Sequence, residues 1–256
     1  MRTVILGAGG KLGRLLRPRW SGSAEWAGRE TVDINDTRGL TSFLSGANAI
    51  FCLAGVTPGS DRNMDLNVTL ARQTLDAAQG AHVFLFSSAA VYGALPGPLS
   101  ETGPTSAQSH YAAAKLDMER MAQAHPNPST ILRLGNVAGA DAILGGWKPG
   151  FRLDQYPDGR TPARSYIGPS KLAEVLQTLA QAQNLPPILN TAAPHAVSMG
   201  ALLDAAGLVW QHRPATEQTI AKVSLDASRL EGLVSFAPAD STAIGIVQDW
   251  KNKETE

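Results

Sequence analysis

Two side chains that can exchange protons, Tyr111 and Lys115, stand four residues apart in an alanine-rich stretch of this chain. Residues 110–121 contain no glycine or proline, which predicts a helix, and residues four apart share one face of a helix. An ammonium beside a phenol favours the phenolate, so we expect Lys115 to lower the pKa of Tyr111 and to make it a general acid and base. A Tyr and a Lys at this spacing can also be incidental, but two upstream features favour the catalytic interpretation.

The first upstream feature is a glycine cluster directly after a short apolar run. Residues 3–6 predict a buried parallel strand, and glycines recur at every third position after it. Glycines let a backbone turn tightly and approach a pyrophosphate, which then binds the free N–H groups at the start of the next helix. The cluster could be a plain turn, but its position after a strand favours a dinucleotide site. The candidate contacts at this turn are Gly7, Gly10, Lys11, Leu12, Gly13 and Arg14.

The second upstream feature is a pair of serines at the end of another apolar strand. Residues 83–86 are apolar, and Ser87 and Ser88 follow them. In doubly wound α/β sheets, ligands bind beyond the carboxyl ends of the strands. We therefore expect Ser88 to face the same crevice as the glycine turn, although a serine pair alone can simply end a strand.

Together, these segments resemble the extended short-chain dehydrogenase/reductase family, also described as the NAD-dependent epimerase/dehydratase family. The residues that carry the resemblance are Gly7-x-x-Gly10-x-x-Gly13, residues 87–93 (SSAAVYG) and Tyr111-x-x-x-Lys115. Weaker matches lie at residues 65–68, 132–139 and 225–230. Among the family's branches, residues 28–36 (GRETVDIND) look most like the dTDP-4-dehydrorhamnose reductase branch.

The resemblance implies an α/β fold, with a Rossmann-type doubly wound parallel sheet and a small C-terminal substrate lobe. It places the dinucleotide-binding core at residues 1–135 and 161–193, and the lobe at residues 136–160 and 194–256. Apolar patterns predict further strands at residues 24–28, 31–34, 49–54, 129–134 and 188–191. They predict helices at residues 62–79 and 172–183, and an irregular loop, which covers the site mouth in relatives, at residues 94–109.

The reaction that the resemblance implies is hydride transfer between a nicotinamide and a carbonyl or secondary alcohol of a sugar or related small molecule. Tyr111 would exchange the proton, Lys115 would also hold the nicotinamide ribose, and Ser88 would hydrogen-bond the carbonyl oxygen. The family has an asparagine in or near its proton relay at the place of Asn67. A helical asparagine is as often purely structural.

Further substrate contacts are implied at Ala89, Asn136 and Arg164. In sugar-nucleotide relatives, an asparagine at the place of Asn136 touches the substrate diphosphate, and an arginine at the place of Arg164 contacts phosphate. Asn136 could equally form a turn, and Arg164 could be a solvated surface charge. Many relatives carry an acidic residue after this arginine segment, whereas residues 168–171 here read GPSK. That departure weakens the sugar-nucleotide interpretation.

The cofactor depends on the residue after the second strand. An acid there binds the ribose hydroxyls of NAD, and an arginine pairs with the 2′-phosphate of NADP. With the second strand at residues 24–28, Arg29 and Arg14 favour NADP(H). A competing register, with the strand at residues 30–34 and Asp33 on the ribose, predicts NAD(H), but it would leave no third strand. The favoured register also predicts cofactor contacts at Asp33 and Ile34, against the adenine, and at Leu53, Ala54 and Gly55, at the tip of the next strand.

The residues after the serine pair distinguish between the reactions that members of the family catalyse. Dehydratases of the family carry an acidic pair there, whereas this chain has Ala89 and Ala90, which cannot transfer protons. The short substrate lobe favours a reductase or dehydrogenase over an epimerase. A non-catalytic NADP(H)-sensing protein is a further alternative, but such sensors usually lose the Tyr or the Lys, and both are present.

Composition and residue spacing bear on the partners, the location and the metal content that we expect. Lys+Arg 22 balance Asp+Glu 22, so no overall charge attracts nucleic acid or a membrane, and no apolar run approaches the roughly 18 residues of a membrane span. The first strand begins too early for a signal peptide, the single Cys52 lies in an apolar strand, and the histidines lack metal-ligand spacing. We therefore expect a soluble cytoplasmic protein with a small-molecule substrate and no metal. The resemblance adds a homodimer formed through the helices of Asn67 and Tyr111.

Overall fold

The computed structural model describes residues 1–58 and 63–252. Its strands are β1 (Thr3–Leu6), β2 (Glu25–Ala27), β3 (Ala49–Cys52), β4 (His82–Ser88), β5 (Ser129–Leu134), β6 (Asn136–Val137), β7 (Arg152–Gln155), β8 (Ala163–Ile167), β9 (Ile188–Thr191), β10 (Ala196–Ser198), β11 (Gln211–Pro214) and β12 (Lys222–Val223). Its helices are α1 (Lys11–Leu16), α2 (Thr37–Leu44), α3 (Leu66–Ala77), α4 (His110–Gln123), α5 (Pro169–Gln181), α6 (Met199–Ala206), α7 (Ser228–Glu231) and α8 (Ala243–Lys251). Within the described ranges, no helix combines the length and apolar character needed to cross a membrane.

The main sheet contains six strands among the described residues, all parallel, in the order β2-β1-β3-β4-β5-β9. Helices cover both faces: α1 and α5 pack on one, and α2, α3 and α4 on the other. This explains why the strands are almost continuously apolar. The strand order reverses direction between β1 and β3, which is where doubly wound sheets bind ligands. The predicted Rossmann-type parallel sheet is confirmed.

The second strand forms where the favoured register places it, and it pairs with β1. The competing strand at residues 30–34 is therefore wrong, and so is the short third strand predicted at residues 31–34, because this segment turns instead. The cause is local: Asp33 accepts hydrogen bonds from the backbone and side chain of Asn35, and Asp36 caps α2. These turns outweigh the strand preference of the β-branched residues around them.

Two helices begin elsewhere than predicted. α3 begins at Leu66, later than expected, and Arg62 lies outside the described residues. α5 begins at Pro169, where proline suits a first helical turn. The carboxylate of Asp249, on α8, accepts hydrogen bonds from two backbone N–H groups in that turn, at 2.8 and 3.0 Å. The carboxylate of Asp249 thus stabilises the start of α5, although residues 168–171 (GPSK) contain no acidic residue.

The residues after β5 build a second, smaller set of sheets. β8 pairs with β6, β10 and β12, and β7 pairs with β11. Apolar side chains of α6 and α8 pack against β8 and β10. β8, whose residues fall in the range 161–193 predicted for the core, thus pairs with β6, β10 and β12 and not with the main sheet. The division into core and lobe stays a proposal.

The long loop at residues 94–109 is irregular, and it is fastened to the C-terminal part of the chain. The N–H of Leu99 donates to the carbonyl of Ser224 at 2.8 Å, and the N–H of Asp226 donates back to the carbonyl of Leu99 at 2.9 Å. The side-chain amide of Asn190, on β9, donates to the same Leu99 carbonyl at 2.8 Å. These bonds fix the loop between β9 and the segment after β12.

Candidate active site

The turn after β1 is held tightly against the ends of its neighbouring strands. The N–H groups of Gly7 and Ala8 both donate to the carbonyl of Ala27, at 2.9 and 3.0 Å. Gly7 has a φ of +90°, and a Cβ built on it would lie 2.7 Å from the amide nitrogen of Ala54 and 2.9 Å from the carbonyl carbon of Leu53. A larger residue would fit neither the backbone angle nor this close approach. Gly7 thus brings the turn against the tip of β3.

The remaining glycines shape the start of α1. A Cβ on Gly13 would overlap the carbonyl oxygen of Ala8, so Gly13 lets the helix pack onto the turn. Gly10 precedes the helix without a side-chain cap, and its N–H donates to the carbonyl of Gly7 at 3.0 Å. Within the part of the chain that the structure describes, a Cβ built on Gly9 would meet nothing within 4 Å. An uncapped helix start beside open space, lined by glycine backbone, fits a pyrophosphate group.

The predicted cofactor contacts near β2 carry both signs of charge. Arg29 and Glu30 are exposed, and the Glu30 carboxylate folds over Gly28. Hydrogen bonds from Asn35, and also the charge of Arg29, hold the pKa of Asp33 below its usual value. One cation and two carboxylates therefore lie where the adenosine ribose of a dinucleotide would bind. Of the other predicted contacts, Lys11 and Arg14 are exposed, and Leu12 and Ile34 are half-buried against the core.

Ser88 and Tyr111 come from different segments and meet at the carboxyl end of the main sheet. Ser88 ends β4, and its hydroxyl accepts a hydrogen bond from the N–H of Ala90 at 3.2 Å. The hydroxyl of Ser109 caps α4, which places Tyr111 in the first turn of that helix. The Ser88 side chain lies close enough to the phenol of Tyr111 to act on its pKa. The expected meeting of hydroxyl and phenol is present.

The pKa of Tyr111 differs from the expectation. Burial raises the pKa of Tyr111 above the usual value, and the nearby Ser88 side chain offsets only part of this rise. The Lys115 ammonium lies 5.9 Å from the centre of the Tyr111 ring and donates to the backbone carbonyl of Phe86 at 2.7 Å. The prediction that Lys115 lowers the pKa of Tyr111 is therefore wrong, because the ammonium is bonded to the sheet backbone and burial of the phenol dominates.

Lys115 is itself strongly perturbed. It is 7% exposed, and burial lowers its pKa to about 8, while Cys52 and Glu119 act in the opposite direction. A Cβ built on Gly55 would lie 3.6 Å from the Lys115 ammonium and 2.8 Å from the side-chain oxygen of Asn67. Lys115 and Asn67 therefore converge on Gly55, immediately after the tip of β3 that Gly7 contacts.

Asn67 is a buried residue with well-defined backbone partners. Its side-chain oxygen accepts from the N–H of Val56 at 3.1 Å, and its amide donates to the carbonyls of Val56 and Met64 at 3.2 and 3.0 Å. These bonds tie the segment after β3 to the segment that leads into α3. They match the structural alternative that the sequence left open; a role in proton relay stays a proposal.

A buried polar network lies next to the candidate catalytic residues, and sequence reasoning missed it. Glu119, on α4, forms an ion pair with Arg133, on β5, at 2.7 Å, and their side chains are only 3% and 5% exposed. The Ser87 hydroxyl also donates to Glu119. Arg133 donates to the phenol oxygen of Tyr92 at 2.9 Å, and Tyr92 donates to the side chain of Asn190 at 2.8 Å.

Glu101 extends this network into the long loop. Its carboxylate accepts from the backbone N–H of Asn190 at 2.9 Å and lies 3.6 Å from the guanidinium of Arg229. The network thus connects α4, the helix of Tyr111 and Lys115, with the C-terminal segment. Two signals could have revealed it: Glu119 continues the spacing of four set by the Tyr and the Lys, and Arg133 interrupts the apolar run of β5.

The predicted substrate contacts Asn136 and Arg164 lie on the second sheet. The Asn136 side chain lies near the phenol of Tyr166, which donates a hydrogen bond to Asp141 at 2.7 Å. Arg164 donates to the neighbouring carbonyl of Ala163 at 2.8 Å, and it lines a cavity of about 360 Å³. The lining of this cavity also includes Arg152, Asp154, Arg213 and Thr219, but not Ser88, Tyr111 or Lys115. Among the described residues, the lining of this cavity therefore does not join Arg164 to the candidate catalytic residues.

Comparison with known proteins identifies the family to which the chain belongs. A sequence model of the NAD-dependent epimerase/dehydratase family matches residues 4–146, more than half of the chain. This protein belongs to that family. No curated protein sequence matches the chain. The match includes the glycine turn, the serine pair and the Tyr–Lys helix, and membership supports an NAD(P)-dependent enzyme.

Solved structures of epimerase/dehydratase type share the fold over nearly the whole chain. A UDP-glucose 4-epimerase from Stenotrophomonas maltophila, with bound NAD and formylated UDP-arabinopyranose, is 20% identical, with a TM-score of 0.79 over 98% of this chain and 97% of that one. A dTDP-4-dehydrorhamnose reductase from Clostridium acetobutylicum is 18% identical, with a TM-score of 0.78 over 98% of both chains. The enzyme RMD from Pseudomonas aeruginosa, complexed with NADPH, is 18% identical, with a TM-score of 0.73 over 98% of both chains. These identities show the fold alone.

Two alanines, Ala89 and Ala90, follow Ser88 in this member of the epimerase/dehydratase family. Both are half-buried in the short 3-10 turn that follows Ser88, where they carry no group that can transfer a proton. Acid–base chemistry at this edge of the sheet would therefore rest on Tyr111, with Lys115 and Ser88 as its neighbours.

Proposed function

We propose that this protein is an NAD(P)-dependent oxidoreductase that transfers hydride between a nicotinamide and a carbonyl or secondary alcohol of a sugar or related small molecule. The convergence of Ser88, Tyr111 and Lys115 beside the tip of β3 supports this most strongly. Reduction of a carbonyl needs a proton donor and hydrogen bonds to the oxygen where negative charge develops. A phenol and a hydroxyl in contact provide both.

Each of the three residues has a distinct role in this proposal. Burial keeps Tyr111 protonated at neutral pH, which suits a residue that donates a proton to the oxygen being reduced. Ser88 holds the same oxygen by a hydrogen bond and orients the phenol. Lys115 remains charged below about pH 8, and its ammonium, which approaches Gly55, is placed to bind the nicotinamide ribose.

The cofactor would lie along the carboxyl ends of β1 and β3. Gly7, Gly10 and Gly13 would hold the pyrophosphate, and Leu53 to Gly55 would line the path toward Lys115. A bound nicotinamide supplies or accepts the hydride. Arg29 and Arg14 favour NADP(H), because a 2′-phosphate needs cationic partners, while Glu30 and Asp33 make NAD(H) the alternative.

The substrate we favour carries an anionic group. Arg164 is half-buried with only a backbone acceptor among its hydrogen bonds in the described residues, and burial lowers its pKa. Arg152 and Arg213 line the same cavity, although Arg213 is paired with Asp154 at 2.6 Å. A phosphate of a sugar nucleotide would fit such arginines. Because Ala89 and Ala90 replace the acidic pair of dehydratases, we favour a reductase or dehydrogenase, with an epimerase as the alternative.

We also propose that the protein is a soluble cytoplasmic homodimer. In relatives, the helices corresponding to α3 and α4 form the dimer interface, and here these two helices pack side by side on one face of the sheet. Light scattering of the purified protein tests this point: a dimer mass is expected, and a monomer at micromolar concentration would contradict it.

Two measurements in sequence test the proposed function. Fluorescence titrations with NADPH and NADH are expected to show saturable binding. A panel of nucleotide-linked keto sugars, free keto sugars and simple ketones is then tested for oxidation of the reduced cofactor. Turnover of any panel member that is lost in Tyr111→Phe supports the assignment. Cofactor binding without turnover across the panel contradicts it and favours the non-catalytic sensor.

A further inference from the structure

We propose that Glu119 is a positioning residue for the reaction: its buried carboxylate, gripped by Arg133 and Ser87, fixes α4 against the sheet and balances the positive charge of Lys115. The inference rests on the proposed function only for the importance of Lys115. The interaction between Glu119 and Lys115 can be measured without any turnover.

The position of Glu119 on α4 is the first support. Tyr111, Lys115 and Glu119 follow one another at intervals of four residues and therefore share one face of the helix. Glu119 is 2% exposed, and Lys115 is 7% exposed. Two charges one helical turn apart, both shielded from water, interact much more strongly than they would on the surface.

The hydrogen bonds that hold the Glu119 carboxylate are the second support. Arg133 binds Glu119 through two nitrogens, with its Nη2 at 2.7 Å from one oxygen and its Nε at 3.1 Å from the other. Ser87, the residue before Ser88, also donates to this carboxylate. These hydrogen bonds from two strands thus hold one point of α4 against β4 and β5. The same helix carries Tyr111 to Ser88.

Among the described groups around Lys115, Glu119 is the one that can balance its positive charge. On α4 they are Tyr111 and Glu119, on β3 the thiol of Cys52, and on β4 the carbonyl of Phe86. Asn67 approaches from α3 and is uncharged. Burial raises the pKa of both Tyr111 and Cys52, so neither is charged at neutral pH. Within this set of described residues, Glu119 is the carboxylate that opposes loss of the Lys115 proton.

The experiment titrates Lys115 by NMR of its side-chain methylene in the full-length protein without cofactor, with Lys115→Arg used to assign the signal. Glu119→Gln keeps the size of the side chain and removes its charge, so the pKa of Lys115 is expected to fall by about one unit or more. Ser87→Ala removes one hydrogen bond to Glu119 and keeps the charge, so it is expected to shift this pKa much less. Glu119→Asp should restore most of the wild-type value.

The outcomes separate the inference from the proposed function. An unchanged Lys115 titration in folded Glu119→Gln overturns the inference, as does an equal shift in Ser87→Ala. If Glu119→Gln does not fold, the double variant Glu119→Gln/Arg133→Gln, which does not leave the guanidinium of Arg133 buried without its partner, is titrated instead, and the pKa of Lys115 is again expected to fall. If an active substrate is found, the alkaline limb of kcat/KM should move to lower pH in step with the titration. A shifted titration in a protein without any turnover would sink the proposed function and leave the inference standing.

Discussion

Ser88 and Tyr111 approach each other from two separate segments of the chain, closely enough for the Ser88 side chain to lower the pKa of the phenol. One comes from the end of β4 and the other from the first turn of α4, with the long loop at residues 94–109 between them. This contact brings a hydrogen-bond donor and a proton source to one point at the carboxyl edge of the sheet. The predictions below follow from the surroundings of that point.

The first prediction concerns the pH dependence of reduction. Lys115 has a pKa of about 8, so its ammonium is charged below that pH and neutral above it, whereas the pKa of Tyr111 is raised and the phenol stays protonated throughout. We therefore expect kcat/KM for carbonyl reduction to fall above about pH 8. A pH profile measures this. In Lys115→Arg, whose guanidinium stays charged, the fall should disappear from this range; the same fall in that variant would contradict the assignment.

The second prediction compares two glycines of the first turn. A Cβ on Gly13 would overlap the Ala8 carbonyl, so Gly13→Ala should displace α1 and lower the free energy of unfolding by about 1–3 kcal/mol. Gly9→Ala meets open space and should leave stability unchanged while weakening cofactor binding. Urea denaturation and NADPH titration of both variants check this. Equal stability of the two variants would argue against the packing seen between turn and helix.

The third prediction concerns the buried ion pair between Glu119 and Arg133. Removing one partner leaves a charge buried without compensation, so Arg133→Met should destabilise the fold by about 3–5 kcal/mol. The double variant Glu119→Gln/Arg133→Met should cost clearly less than the sum of the two single variants, because no unpaired charge remains. Urea denaturation of the four proteins gives the coupling energy. Additive effects would mean that the two side chains do not act as a pair.

The fourth prediction concerns the cofactor. If Arg29 binds a 2′-phosphate, Arg29→Glu should weaken NADPH binding by on the order of tenfold and leave NADH binding nearly unchanged. Arg160→Glu makes the same change of charge at an exposed position on the lobe and serves as the control. Fluorescence titrations measure both affinities. Tighter binding of NADH than NADPH by the unaltered protein would favour the acidic residues, Glu30 and Asp33, as the ribose contacts.

The best-predicted parts of the molecule are those whose patterns are local. The strand and glycine turn around Gly7, the strand that ends at Ser88 and the helix of Tyr111 all form where hydrophobic pattern and breaker residues place them. The predicted strand at residues 31–34 fails because hydrogen bonds to Asp33 and the cap at Asp36 favour turns over pairing. Local polar side chains prevailed over strand propensity there.

The parts that sequence reasoning missed depend on tertiary contacts. The pKa of Tyr111 follows from how deeply α4 is buried, which the spacing to Lys115 does not reveal. The network that joins Glu101 to Asn190 links residues 89 positions apart, and its members become partners only once β4, β5 and β9 are aligned. The signals that pointed toward it were the continued spacing to Glu119 and the charged Arg133 within the apolar run of β5.

The most direct test of the central proposal follows the hydride and the proton donor together. A keto substrate found in the panel is incubated with NADPH or NADH that carries deuterium in place of the transferred hydride. The mass of the alcohol product is then measured by mass spectrometry. The unaltered protein should place one deuterium in each product, while Tyr111→Phe should bind the cofactor as well but react at least about a hundred-fold more slowly. Product without deuterium, or an unchanged rate in Tyr111→Phe, would contradict hydride transfer assisted by Tyr111.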